Sequence, residues 1–118
     1  MRTVILGIET QNDVTHRVLA TARGRIKAGN DRISFENASE LWRVLAPKRM
    51  EIVRAMTGTG PLTIREVARR VGRDFKAVHS DVTRLVNAGI LERTEKGAVE
   101  FPYDRVHVEF DLVAAASA

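Results

Sequence analysis

The chain has 118 residues, 44% hydrophobic and 29% charged, with no cysteine and a formal net charge of +4. That length suits one domain with a real core, and the composition excludes disulfides, thiolate metal sites and any apolar run near the roughly 18 residues of a membrane helix. The longest apolar stretch, Thr3 to Ile8, follows a single Arg2 and is too short for a signal peptide, so a cytoplasmic protein is expected.

Residues 1–45 carry 7 basic and 5 acidic side chains, residues 46–96 carry 11 and 6, and residues 97–118 carry 1 and 4. The positive excess sits in the middle. Such asymmetry suits a domain that presents one face to phosphates, because neutralising them releases counterions; an ordinary solvated basic face is the competing reading at this level.

In chain order, Val4 to Ile8 reads as a buried strand. From Asn12 onward, Val14, Val18, Leu19, Ala22 and Ile26 recur at helical spacing, with Asn12 or Asp13 as cap and Gly29-Asn30-Asp31 as stop. Arg32 to Glu36 alternates polar and apolar, predicting a strand with Ile33 and Phe35 inward. Residues 1–38 are therefore expected to form a strand-helix-strand layer.

Ser39 is the expected cap of a helix through Leu41, Trp42 and Leu45, with Trp42 in the core. Pro47 opens the next helix, where a missing N–H costs nothing, and Met50, Ile52, Val53 and Met56 share its apolar face. The loop Thr57-Gly58-Thr59-Gly60-Pro61 lacks the Lys-Ser/Thr and GxGxxG patterns of a phosphate cradle, so it reads as a turn.

Thr63-x-x-Glu66 is a capping box that starts a helix at Ile64, with Val67, Ala68 and Val71 inward. Gly72 ends that helix and Asp74 caps another two residues later, the spacing of a helix-turn-helix. In the second helix Phe75, Val78, Val82, Leu85 and Val86 share a packing face; Lys76, Ser80, Thr83, Arg84 and Asn87 lie opposite, with Asp81 on the flank. Cations, hydroxyls and an amide on one helix face are the groups that read a major groove. Gly89 stops the helix, and Ile90 to Phe101 predicts a hairpin turning at Glu95-Lys96-Gly97, a wing. Val106, Val108, Phe110 and Leu112 alternate with His107, Glu109 and Asp111, predicting a third strand for the N-terminal sheet, and residues 114–118 read as a frayed tail.

The expected architecture is α+β: a winged helix-turn-helix over residues 39–101, an added N-terminal strand-helix-strand layer, and a C-terminal strand within 102–113, all one domain. The DNA-contact candidates are Lys48, Arg49, Thr63, Arg65, Arg73, Phe75, Lys76, His79, Ser80, Thr83, Arg84, Asn87, Arg93 and Lys96. His16, His79 and His107 are scattered, and no nucleophile elbow or metal-ligand spacing accompanies them, so neither an enzyme nor a cofactor is expected.

Leu45 to Met50, Leu62 to Val82 and Tyr103 to Phe110 together resemble a family of small prokaryotic winged-helix DNA-binding proteins, often labelled MarR-like. The resemblance covers nearly the whole chain. It implies a transcriptional regulator, a repressor, and it extends to members that look like antitoxins encoded beside TumE-type toxins. That family commonly has Tyr and Arg where this chain has Phe75 and Ser80. The implied partners are double-stranded DNA, a second copy of the chain, since two recognition helices roughly 34 Å apart read a two-fold operator, and a toxin protein; no membrane is involved. The alternative is a protein-interaction module whose acidic C-terminal strand captures and neutralises a toxin, with DNA binding secondary.

Overall fold

The computed structural model describes residues 2–8 and 31–111. The helix expected from Asn12, the end of the last strand at Leu112 and the tail at 114–118 lie outside the described residues.

Strand β1 (Thr3–Ile8) is apolar almost throughout, the pattern of a strand flanked on both sides in a parallel sheet. It is the central strand. β2 (Asp31–Phe35) pairs parallel to it with Leu6 opposite Ile33, and β5 (Arg105–Glu109) pairs parallel on its other side with Leu6 opposite Val108. Val4 and Leu6 are fully buried on one face. On the other, a Cβ at Gly7 would lie 2.8 Å from the Arg32 guanidinium and 3.3 Å from the Glu109 carbonyl oxygen, so the bare glycine lets Arg32 cross β1 to Glu109. The Arg32 Nη1 to Glu109 Oε1 distance is 3.2 Å.

Helix α1 (Ala38–Val44) is capped by Asn37, whose side chain accepts from the Glu40 N–H at 2.9 Å. Ser39, the expected cap, lies in the first turn instead. The extended backbone at Asn37, φ −155°, suits the cap position, and the helix therefore starts two residues earlier. Leu41 and Leu45, four apart, are buried, whereas Trp42 stands 100° round the helix and is 52% exposed. The expectation of a core Trp42 is thus corrected: its ring stands T-shaped against Phe110, just past the end of β5, at 5.3 Å.

Pro47 begins α2 (Pro47–Met56), which buries Ile52, Val53 and Met56. Helix α3 (Ile64–Val71) follows the glycine loop, and α4 (Phe75–Asn87) follows a turn of three residues. The hairpin strands β3 (Glu92–Arg93) and β4 (Val99–Glu100) are shorter than the Ile90 to Phe101 pattern predicts. The reason lies where α4 ends. The N–H groups of Ile90 and Leu91 both donate to the Leu85 carbonyl, completing α4. On the side of β4 away from β3, Val99 exchanges two hydrogen bonds of 2.8 Å with Leu62. The residues before α3 and the hairpin are thereby joined directly.

One buried cluster runs from Val4 and Leu6 through Leu41, Leu45, Ile52, Met56, Val67, Val82 and Leu85 to Val99 and Phe101. The architecture is α+β, with four helices and two small sheets among the described residues. No described helix is long and apolar enough to cross a membrane.

Candidate nucleic-acid interface

The Thr63 hydroxyl accepts from the Glu66 N–H at 3.1 Å and so starts α3 as expected. The reciprocal half of the box is replaced. Glu66 turns its carboxylate to Arg69 and Arg70, and the hydrogen bonds from these two guanidiniums lower its pKa from 4.5 to about 2. Gly72 closes the helix at φ 65°, a left-handed backbone that suits glycine, and Arg73 N–H donates to the Ala68 carbonyl at 3.1 Å.

Asp74 then caps α4, accepting from the N–H groups of Lys76 and Ala77. Val78, Val82 and Leu85 are fully buried and hold the helix against the core. Asp81 holds it from the side: Oδ1 lies 3.2 Å from Arg49 and Oδ2 lies 2.8 Å from Arg73. All three side chains are largely shielded, with 11% to 17% exposure. Arg49 also donates from Nε to the Val44 carbonyl at 2.7 Å and from Nη2 to the Arg43 carbonyl, while Arg73 reaches the Lys48 carbonyl.

Arg49 and Arg73 are both DNA-contact candidates of the sequence. Their donors tie the end of α1, the start of α2 and the α3–α4 turn to α4. This also alters the meaning of Asp81, an acid flanked by two guanidiniums that leaves a local excess of positive charge. The sequence signal for it was faint. Asp81 is the one acid after the cap on a helix otherwise rich in cations and hydroxyls, but its partners stand 32 and 8 positions away.

On the outward side, Lys76, His79, Ser80, Arg84 and Asn87 are exposed. Thr83 is half-buried and its hydroxyl donates to the His79 carbonyl at 2.8 Å, so its methyl is the part left to a ligand. Phe75, expected on the packing face as well as at DNA, is 39% exposed because the first residue of α4 overhangs the core. The Arg65 guanidinium sits 5.0 Å from the Phe75 ring centre and the His79 ring 5.9 Å from it, so the structure brings these three candidates together. Lys48 and Ser80 border a cavity of about 580 Å³ between the start of α2 and α4. Arg93 and Lys96 are exposed on the hairpin, alongside the equally exposed Glu92 and Glu95.

Among the described residues, Lys48, Arg54, Arg65, Lys76, Arg84, Arg93 and Lys96 make no ion pair. Arg54 in this set was not among the sequence candidates; its place in the last turn of α2 is what leaves it unpaired and exposed.

Residues 44–108, from the last residue of α1 into β5, match the HVO_A0114 family, and the chain belongs to it. No curated protein matches the chain.

Proposed function

We propose that this protein is a sequence-specific double-stranded DNA-binding regulator rather than an enzyme, acting in the cytoplasm. In this reading α3, the turn and α4 form a helix-turn-helix, α4 enters the major groove, and β3–β4 is the wing. The observation that carries it is the outward face of α4: Lys76, Ser80, Arg84 and Asn87 stand exposed while Val78, Val82, Leu85 and the Arg49–Asp81–Arg73 cluster fix the helix behind them. Arg or Lys can donate to guanine O6 and N7, Asn can pair with adenine, and Phe75 offers an apolar edge to a thymine methyl. Lys48 and the hairpin cations supply phosphate contacts that position the helix without reading sequence.

The MarR-like resemblance adds a repressor role, and in an antitoxin the same chain would also neutralise a partner. The test is fluorescence anisotropy on the DNA upstream of its own reading frame, against random duplex, over a salt series. Binding that weakens steeply with salt, with preference for the upstream site, is expected. No binding at low salt would overturn the DNA reading and leave the interaction-module alternative.

A further inference from the structure

We propose that the outer edge of β5 pairs antiparallel with β5 of a second copy of this chain, about a two-fold axis at His107, joining two three-stranded sheets into one of six strands.

Among the described residues β5 ends the sheet, with β1 on one side and no strand on the other. Its backbone phase is set by two observations. Arg105 N–H donates to the Arg2 carbonyl at 3.2 Å, and the Glu109 carbonyl oxygen lies against Gly7, so residues 105, 107 and 109 turn their polar backbone groups to β1. By alternation Val106 and Val108 turn theirs to the open edge. A two-fold axis at His107 places Val106 of one copy opposite Val108 of the other, twice, which is the hydrogen-bonded pairing an antiparallel ladder requires and gives four main-chain bonds.

The side chains agree with this register. Arg105-Val-His-Val-Glu109 is charge-complementary to itself when reversed, because Arg105 falls opposite Glu109 of the second copy and the reverse. Arg105 is exposed and makes no ion pair among the described residues. Glu109 engages Arg32 and His107 yet remains 49% exposed, leaving lone pairs for a further cation. On the other face Val106 meets Val108, extending the apolar layer that Val4 and Leu6 begin. An unshielded edge strand is a template for indiscriminate pairing, and a self-complementary register restricts it to one partner.

This pairing needs no DNA, so its failure would leave the proposed role of α4 untouched. Sedimentation at micromolar concentration, without DNA, is expected to give twice the 13.1 kDa chain mass. Arg105→Glu and Glu109→Arg each set like charges opposite one another, and each is expected to weaken self-association roughly tenfold or more. An equimolar mixture of the two variants restores opposite charges at every cross-strand position, and a heterodimer is expected there although neither variant pairs with itself. Val106→Pro removes an outward N–H while leaving the bonds to β1, and it is expected to be monomeric with a retained circular-dichroism melt. A monomeric wild-type chain, unchanged dimerisation of both charge variants, or no recovery in the mixture would overturn the proposal. Should Glu109→Arg unfold through loss of Arg32, Val106→Pro decides alone: a monomer supports the edge and a dimer refutes it.

Discussion

The parallel sheet and the helical body that follows it treat their charges in opposite ways. In the sheet, Arg2 meets Asp31 at 2.9 Å, Arg32 meets Glu109 and His107 meets Glu109, so that only Arg105 is left without an ion pair among the described residues. In the helical body two acids each gather a pair of arginines, Glu66 with Arg69 and Arg70, and Asp81 with Arg49 and Arg73, while Lys48, Lys76, Arg84 and the hairpin cations stay unpaired. Exposed ion pairs of the sheet type add little stability. What they do is cancel charge locally, so among the described residues the uncancelled positive charge belongs to the helical body.

Four measurements would break or sharpen that contrast. The largest effect belongs to the core that both regions share: Phe101→Ala, removing a side chain only 1% exposed, should lower unfolding free energy by about 3–5 kcal/mol in a denaturant titration, whereas Arg2→Ala at the sheet surface should cost less than about 1 kcal/mol. Equal losses would mean the surface pairs matter as much as burial. Next, Asp81→Ala strands two shielded guanidiniums and should destabilise by about 1–3 kcal/mol, by the same titration. A neutral outcome would return Arg49 and Arg73 to the pool available for phosphate.

For binding, Arg84→Ala should remove about 1–3 kcal/mol of preference between the upstream site and random duplex, while Lys48→Ala weakens both alike and reduces the salt slope by about 1. Equal loss on both duplexes for Arg84→Ala would take Arg84 out of base reading. The smallest effect is at Glu66. Its folded pKa lies below the ordinary 4.5, so the stabilisation it brings is present above that value and fades as pH falls toward about 2. Carboxyl NMR should show a midpoint near 2 that rises in Arg69→Ala; an unmoved midpoint would remove Arg69 as the main cause.

Elements governed by local chemistry were legible in the chain. Pro47, Thr63, Gly72 and Asp74 mark helix ends through their own backbone and side-chain preferences, and the structure has them at those ends. Alternation likewise foretold β5, and the buried residues of α4 follow its wheel. What escaped depended on distant partners. Trp42 looked like core beside Leu41 and Leu45, but which angle of α1 meets the sheet is a tertiary matter. The shared hold of Arg49 and Arg73 on Asp81 had no local sign, since nothing near them in the chain announces Asp81. The bridge between Leu62 and Val99, far apart in the chain, likewise had no local sign.

The two hydrogen bonds between Leu62 and Val99 bear on the thermodynamics of any encounter. They clamp the entry to α3 onto the base of the hairpin, so the two elements approach a surface as one shaped object instead of two hinged ones. A body ordered in advance loses little conformational entropy on docking. Calorimetry on duplexes that differ in flexibility should then place the variation in the cost of bending the nucleic acid, with a heat-capacity change set by buried area and no added signature of protein folding.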